Sequence, residues 1–284
     1  MILKVWQKDY CKMWMSIMTI KPLDTSLPPL PDLSLSCDGI LNRRYHLYQP
    51  KKGYRFGTDA IVLAASIGAH YGTRIAEFGA GAGAVSLALS HFLPQSHITA
   101  IEKEADMVAC LRHNIMLNDR QDFIRAHEGD ITDLPELMKD SFDCVLSNPP
   151  FHHPSGTRSR NQRRALAHHG DEAVLDDWVS AALWALKPKG RLVMILRADR
   201  ADDVIVTLRK KGAGGISLHP IYPYKSSPAI RVIITAQKSH NGPFLLADGL
   251  VLHHPDGALT AQATQILSGE GVGHLAQLET GRDR

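Results

Sequence analysis

From Arg74 onward, short apolar runs alternate with segments of helix length whose apolar residues recur at helical spacing. Runs of this kind are typical of buried strands, and each is followed by enough chain to cross back over a sheet. The alternation therefore predicts an α/β fold in which helices cover a doubly wound, mostly parallel sheet. The first five strand-like runs are RIAEFG at 74–79, SHITAIE at 96–102, FIRAHEGD at 123–130, DCVLSN at 143–148 and RLVMILR at 191–197.

Two more strand-like runs follow the last helical segment of this region, with no helix between them. They are GISLHPIYP at 215–223 and AIRVIITAQK at 229–238. Their direct succession predicts a hairpin-like pair at one side of a seven-stranded sheet, with an antiparallel edge strand. The loop that joins them holds Tyr222, Tyr224 and Lys225. We leave two interpretations open for this loop, a border of the substrate mouth or an ordinary hairpin connection.

The two ends of the chain differ from this regular middle. Residues 1–40 lack sustained periodicity and contain a proline-rich stretch, so we predict an N-terminal arm or a partly disordered lead-in. Residues 41–238 would form the main domain. Residues 239–284 would be a C-terminal extension packed on that domain, with the last residues as a tail.

Charge and cysteine content exclude several classes of protein. Thirty-two Lys and Arg against 29 Asp and Glu give a formal net charge of +3, which excludes a histone-like polycation and an acidic tail. The four cysteines form no CxxC pair, and the apolar neighbours of Cys144 indicate a reduced, buried thiol. We find no apolar stretch long enough for a membrane span and no signal sequence, so we predict a cytoplasmic protein.

A glycine-rich turn follows the first strand-like run, in Ile75-Ala-Glu-Phe-Gly-Ala-Gly-Ala-Gly83. A strand that ends in such a turn and leads into a helix lets backbone N–H groups approach a cofactor. Gly79, Gly81 and Ala84 satisfy the relaxed dinucleotide fingerprint. Glu102 closes the next strand about 20 residues on, where an acid would bind a pair of ribose hydroxyls. The turn by itself fits either NAD or S-adenosylmethionine.

Two further acids bear on the choice of cofactor. Glu77 precedes the first glycine by two residues, where it would face the cationic end of a methionine moiety but would repel a pyrophosphate. Asp130 follows the third strand-like run and is suited to accept a hydrogen bond from an adenine amino group. The alternatives are that Glu77 caps a neighbouring helix and that Asp130 is a plain helix N-cap. We predict S-adenosylmethionine as the cofactor.

The fourth strand-like run ends in Ser-Asn148-Pro149-Pro150-Phe151. Prolines cannot continue a strand ladder, so the chain must turn out at the carboxyl edge of the sheet, where ligands bind in open α/β folds. The Asn148 side-chain oxygen and the Pro149 carbonyl could hold the two N–H bonds of a planar amino group, while Phe151 stacks on it. Asn148 would also contact the cofactor. The alternative is an ordinary Pro-Pro loop with Asn as a turn residue.

A basic segment comes directly after this turn. Between residues 152 and 169 it holds four arginines and four histidines without an acid. We predict that its arginines bind the phosphates of a nucleic acid, or else that the segment is a solvated loop. No acid or cysteine accompanies the histidine pairs at ligand spacing, so we predict no metal site. The candidate substrate-binding residues are Arg158, Arg160, Arg163 and Arg164.

These motifs resemble known families. EFGAGAG, IEKE, EGD and above all SNPPF are similar to the class I S-adenosylmethionine methyltransferases that modify exocyclic or amide nitrogens. YRFGTDA at 54–60, RRALAHH, LKPKGRL and VLHHPDGALTAQATQIL more closely resemble the bacterial tRNA1(Val) adenine N6-methyltransferases, from about Asp38 to Gly269. Phe151 stands where many members of that family carry Tyr, and the lead of about 38 residues is longer than the family's usual start.

The resemblance implies a Rossmann-like class I methyltransferase fold and a role for each matching residue. Glu77 and the three glycines of the turn would surround the methionine part of the cofactor. Glu102 would bind its ribose hydroxyls, and Asp130 would bind its adenine. Thr58 and Asp59 would lie near the methionine end and the catalytic turn.

The activity that we predict is methyl transfer to the N6 amino group of an adenine in RNA, above all in tRNA near the anticodon. One alternative keeps the cofactor and changes the acceptor to a protein glutamine amide or a guanine amino group of ribosomal RNA. Another is a non-catalytic RNA-binding protein that keeps the methyltransferase fold.

Overall fold

The computed structural model describes residues 27–53, 55–68, 72–149 and 175–271. Within them the chain alternates strands and helices as the hydrophobic pattern predicts. In chain order the elements are β1 (Leu35–Ile40), β2 (Tyr45–Pro50), α1 (Thr58–Ala65), β3 (Arg74–Phe78), α2 (Ala84–Phe92), β4 (His97–Glu102), α3 (Ala105–Leu117), β5 (Ile124–Glu128), β6 (Phe142–Ser147), α4 (175–185), β7 (Leu186–Arg197), α5 (Ala201–Lys210), β8 (Gly214–Tyr224), β9 (Arg231–Gln237), β10 (Leu245–Leu246), β11 (Leu250–His253) and α6 (Ala261–Ser268).

The described strands other than β1 and β2 form one nine-stranded sheet, in the order β10-β8-β9-β7-β6-β3-β4-β5, with β11 also paired to β8. Strands β3 to β7 are mutually parallel, which confirms the predicted fold class. The antiparallel strand is β9, and it lies between β7 and β8 rather than at the edge. The short strands β10 and β11 pair with β8 and bring the seven predicted strands to nine.

The hydrophobic core is divided between the two faces of the sheet. Neighbouring residues of β6 belong to different clusters, Leu146 to one and Val145 to the other, because successive side chains of a strand point to opposite faces. Helices α1, α2, α3 and α6 cover the first face, while α4 and α5 cover the second. This burial on both faces explains why the strands read as nearly continuous apolar runs.

The N-terminal hairpin spans one predicted boundary. Strands β1 and β2 pair antiparallel, with Ile40 opposite Tyr45. The boundary predicted between residues 40 and 41 falls inside this hairpin, because residues 35–40 form its first strand. The sequence of β1 conceals the strand, because the polar residues Ser36 and Asp38 are half-buried while Cys37 and Gly39 are exposed, so apolar and polar residues do not mark its two faces. The rest of the predicted division into arm, domain and extension stays a prediction.

The hairpin is fixed to helix α3 by two asparagine side chains. Asn114 accepts a hydrogen bond from the Tyr48 N–H and donates to the Tyr48 carbonyl, both at 2.8 Å. Asn118, one helical turn later, makes the same pair of bonds to His46, at 2.8 and 2.7 Å. Asn114 also donates to the carbonyl of Ala82 at 2.9 Å. The two amides thus satisfy the free edge of β2, and Asn114 links that edge to the glycine-rich turn.

Two expectations about the chain as a whole can be compared with the described residues. Cys110 and Cys144 are buried and Cys37 is exposed, and none of these three described cysteines is in a disulfide, as predicted for Cys144. Among the helices described, none is both long and apolar enough to cross a membrane.

Candidate active site

The glycine-rich turn joins β3 to α2 at the carboxyl edge of the sheet. Gly79 and Gly81 have φ angles of +70° and +55°, a region that side-chain-bearing residues adopt only with strain. The N–H groups of Gly79 and Ala80 donate to the Ile101 carbonyl of β4, each at 2.9 Å. The turn is therefore anchored to the neighbouring strand, and α2 begins directly behind it.

Trp178 of α4 lies against this turn. A Cβ placed on Gly79 would stand 2.6 Å from Cη2 of the indole ring. Trp178 is half-buried and packs on the core cluster of its face, as the helical spacing predicts. Its contact with the first glycine of the turn was not expected from that spacing.

Glu77 is buried at the end of β3 and points to the start of α2. Its carboxylate accepts a hydrogen bond from the Ser86 hydroxyl, in the first turn of that helix. Burial raises the pKa of Glu77 to about 8, the hydrogen bonds from Ser86 oppose that rise, and the nearby Glu102 adds to it. This contact joins Glu77 to the first turn of α2, whose N-cap residue is Gly83. The role beside the methionine cation stays a prediction.

Glu102 stands at the end of β4, next to the glycine turn. One oxygen, Oε2, accepts from the Gly81 N–H at 2.8 Å. The other, Oε1, accepts from the N–H groups of Lys103 and Glu104 at 2.8 and 2.9 Å. A carboxylate offers about four acceptor positions, so these three bonds leave one on Oε2 for an external hydroxyl. The predicted bond to a ribose is compatible with this geometry.

Asp130 follows β5 and caps a short 3-10 helix at Ile131–Asp133. Its Oδ1 accepts from the backbone N–H and the hydroxyl of Thr132 at 2.9 and 2.8 Å. These two bonds, with a smaller contribution from Lys103 at 4.0 Å, hold the pKa of Asp130 below its usual value. The structure therefore contains the N-cap that the alternative interpretation describes. Its Oδ2 has no hydrogen bond within the described residues, so it remains available to an amino group.

The predicted catalytic turn begins beside the glycine turn. Strands β3 and β6 are adjacent, with Phe78 paired to Ser147, and the Ser147 hydroxyl donates to the Phe78 carbonyl at 3.2 Å. The next residue along each strand is Gly79 on one side and Asn148 on the other. Asn148 is half-buried and Pro149 is buried. Pro150, Phe151 and the four predicted phosphate-binding arginines, Arg158, Arg160, Arg163 and Arg164, lie outside the described residues.

The start of α1 contributes Thr58 and Asp59. Asp59 forms an ion pair with Arg231 at 2.7 Å, and Arg231 is the first residue of β9, opposite the last residue of β7. The start of α1 is thereby held at the carboxyl edge of the sheet. Thr58 lines a cleft of about 280 Å³ between α1 and the turn of the hairpin, together with Phe56 and Arg43.

The sequence analysis did not predict three contacts near these turns, those of Ser86, Asn114 and Trp178. Each links the residue to a predicted site residue or to the glycine turn and forms only after folding. The sequence carries no local signal for any of these contacts. Within the described ranges, no group of three or more His, Cys, Asp or Glu side chains could hold a metal ion.

Comparison with known proteins places the chain in a family. The family model of the methyltransferase small domain matches residues 55–207, which is more than half of the chain. The chain belongs to the methyltransferase small domain family. The match runs from the segment before α1 through α5, so it includes β3 to β7 and both turns described above.

Curated relatives narrow the resemblance within the methyltransferase small domain family. The chain is 31% identical over 169 residues to a tRNA1(Val) (adenine(37)-N6)-methyltransferase of Porphyromonas gingivalis, covering 57% of this chain and 66% of that protein. The match thus spans just under two-thirds of that relative's length. The protein of the same name from Aeromonas salmonicida is 24% identical over 229 residues, covering 80% of this chain and 94% of its own. These matches confirm the resemblance to tRNA1(Val) adenine N6-methyltransferases.

Solved structures support the fold of this methyltransferase small domain protein. The crystal structure of a predicted O-methyltransferase from Agrobacterium tumefaciens superposes with a TM-score of 0.62 at 24% identity, covering 75% of this chain and 97% of that one. At this level of identity the likeness concerns the fold.

Proposed function

We propose that this protein transfers a methyl group from S-adenosylmethionine to the N6 amino group of an adenine in tRNA, near the anticodon. The observation that carries the proposal is the adjacency of the two turns, because Asn148 follows β6 at the level where Gly79 follows β3. A cofactor on the glycine turn and an amino group on the Asn-Pro turn would then meet at one edge of the sheet. The names of the curated relatives support the choice of adenine and tRNA.

The residues of the glycine turn fit this cofactor. The positive φ angles of Gly79 and Gly81 keep backbone atoms at the surface of the turn, where a ligand can approach closely. Glu102 retains an acceptor position for a ribose hydroxyl, and Asp130 retains an oxygen for the adenine amino group. When bound, S-adenosylmethionine supplies an electrophilic methyl group next to Asn148.

The Asn-Pro turn would orient the target amine. The lone pair of an exocyclic adenine nitrogen is delocalised into the ring, so it must be aimed before it can attack. The Asn148 side-chain oxygen and the Pro149 carbonyl oxygen each accept a hydrogen bond from one N–H of the amino group. These two bonds direct the nitrogen lone pair at the methyl carbon. With the amine held by these two oxygens, a nitrogen–carbon bond would form as the sulfur–carbon bond of the bound cofactor breaks, and the electron pair of that bond would stay on sulfur. One N–H proton then leaves to solvent, so the reaction requires no general base.

The predicted phosphate-binding arginines, from Arg158 to Arg164, would hold the RNA around the target nucleotide. An RNA substrate also supports the predicted cytoplasmic location. An unpaired loop is the accessible place for such a base, because extrusion from a duplex costs a few kcal/mol.

The test is methyl transfer from labelled S-adenosylmethionine to tRNA, ribosomal RNA and protein fractions of a bacterial strain that lacks this gene, followed by nucleoside digestion. We expect label in N6-methyladenosine from tRNA. Label in protein or in guanosine would overturn the substrate, and no label together with no cofactor binding would overturn the enzyme.

Two variants sharpen this test. Asn148→Ala should lower turnover by about 100-fold or more, as expected for a preorganised polar group at a reacting centre, while the affinity for the tRNA stays the same. Asn241→Ala, an equal change at an exposed loop position, should retain full turnover. Unchanged turnover in Asn148→Ala would contradict the mechanism.

A further inference from the structure

The N-terminal hairpin carries a concentration of positive charge. Between residues 35 and 55 the sequence has five Lys and Arg residues and one acid, so this short segment exceeds the net charge of +3 of the whole chain. The acid, Asp38, is neutralised by Arg55 at 2.8 Å. The remaining four cations are all exposed and have no ion pair within the described residues. We call these four the hairpin cations: Arg43, Arg44, Lys51 and Lys52.

Arg43 is held in place by the backbone of the turn. Leu41, Asn42 and Arg43 adopt φ angles of +49°, +54° and +61° in succession, a strained conformation for three residues that carry side chains. Leu41 is buried, while Asn42 and Arg43 are exposed. The stem of Arg43 lies over Gly39, where an added Cβ would stand 2.5 Å from Cγ of the arginine. This turn thus presents its charge in a defined position.

The hairpin cations lie at the two ends of the hairpin. Arg43 and Arg44 are in the turn, and Lys51 and Lys52 follow the last residue of β2. Six residues of strand separate the ends by about 20 Å. Tyr48 is joined through Asn114 to Ala82 of the glycine turn, and Lys51 lies three residues beyond Tyr48 in the chain. The hairpin therefore carries one pair of cations at each end, and its second strand is fixed to the glycine turn between them.

We infer that the hairpin cations bind the phosphate backbone of the RNA substrate, on the side of the cofactor site formed by β2 and α3. This inference rests on the proposed RNA substrate and adds a contact surface to it. Unpaired cations along about 20 Å match several successive phosphates, whose neutralisation releases counterions. This contact surface would fix the orientation of the RNA while the Asn-Pro turn holds the target nucleotide.

The experiment measures binding of the full chain to fluorescently labelled bacterial tRNA between 50 and 200 mM salt. The test variant replaces all four hairpin cations by Ala. The control variant is Arg209→Ala with Lys210→Ala, which removes two exposed cations from the last turn of α5, next to the start of β8 at the opposite edge of the sheet. Gly39→Ala adds a third test, because it displaces Arg43 without removing its charge.

We expect the fourfold variant to bind tRNA about 10- to 100-fold more weakly at 100 mM salt, with a log–log salt slope smaller by about three to four. Its KM for tRNA should rise while kcat and the affinity for S-adenosylmethionine stay unchanged, since the hairpin cations touch no reacting atom. Gly39→Ala should lower the affinity in the same direction. The control should match the wild-type protein.

Equal affinity and slope in the fourfold and wild-type proteins would overturn the inference, as would an equal loss in the control or a wild-type protein that binds no tRNA. If the wild-type protein methylates tRNA while the fourfold variant binds tRNA with wild-type affinity, this inference fails and the proposed function stands. If tRNA binds through the hairpin cations but receives no methyl group, the proposed function fails and this inference stands.

Discussion

The indole ring of Trp178 occupies the space that a side chain on Gly79 would need, with Cη2 2.6 Å from the position of a Cβ. The two residues belong to α4 and to the turn after β3, so the contact joins the second core cluster to the candidate cofactor site. Gly81, two residues later, has a similar backbone conformation but more space, since its Cβ would lie 3.7 Å from Met107 Cε.

Gly79→Ala should therefore be more harmful than Gly81→Ala. Both changes force a side chain into a positive φ, which costs about 1 kcal/mol or more each. Gly79→Ala must also displace the ring, which adds about 1–3 kcal/mol of overpacking. Urea unfolding of the two variants measures the difference. Trp178→Leu should relieve the extra cost, so the double variant should be less destabilised than the sum of the single changes. Equal free energies of unfolding for Gly79→Ala and Gly81→Ala would contradict the contact.

Glu77→Gln should change how stability depends on pH. The folded protein raises the pKa of Glu77 from 4.5 to about 8, so it holds the proton more tightly than the unfolded chain does. The contribution of Glu77 to the free energy of unfolding is fully present below pH 4.5 and is lost as the pH rises through about 8. The advantage of Glu77→Gln over the wild type should thus grow by about 1.4 kcal/mol per pH unit in that window.

Unfolding at pH 5, 6.5 and 8 measures that advantage, with Glu136→Gln as the control. Glu136 is 79% exposed in its side chain, so its replacement should give a difference that changes little with pH. An advantage of Glu77→Gln that stays constant from pH 5 to 8 would show that Glu77 titrates normally.

Ser86→Ala should destabilise the protein by about 1–3 kcal/mol, because it removes a hydrogen-bond donor from a buried carboxyl group. The penalty should be larger above pH 8, where the carboxylate is charged. Ser90→Ala is the matched change in the same helix, because the Ser90 hydroxyl donates only to the Leu87 carbonyl, at 2.8 Å. Thermal unfolding of both variants measures the difference, and it should show a loss below about 1 kcal/mol for Ser90→Ala. The prediction fails if Ser86→Ala costs no more than Ser90→Ala.

Asn114→Ala should loosen the hairpin and the glycine turn together. Asn114 is fully buried, and its loss leaves two carbonyls and one N–H without their partner, at a cost of about 2–4 kcal/mol. Hydrogen exchange should show faster exchange of the Tyr48 amide, with little change in β3 and β4. Affinity for S-adenosylmethionine should fall.

Asn118→Ala is the control for that experiment. It removes an equivalent pair of bonds to His46 on the exposed part of the hairpin, away from the glycine turn. We expect His46 to exchange faster while cofactor affinity is kept. A similar loss of cofactor affinity in both variants would show that Asn114 acts only through the hairpin.

The sequence predicts the sheet well because the burial of a strand determines the residues of that strand itself. Strands buried on both faces are largely apolar, so β3, β4, β6 and the second half of β7 stand out in the sequence, and the glycines mark the turn after β3. Strand β1 was missed because its polar and apolar residues do not alternate between its two faces and a proline-rich stretch precedes it. The hairpin that it forms with β2 is supported by Asn114, 66 residues from Tyr48, and no periodicity reveals such a contact. The helical spacing of Trp178 indicates a core position, and only the packed structure shows its approach to Gly79.

The pairing of β3 with β6 has a consequence for the order of events during synthesis. Phe78 and Ser147 are 69 residues apart in the chain, yet they bring the two candidate turns side by side. At about 5–20 residues per second, a ribosome needs about 3–14 s to make that interval. A nascent chain therefore completes its glycine turn several seconds before the Asn-Pro turn exists. A cofactor cannot help to assemble both sides of the site until the second half of the sheet has emerged.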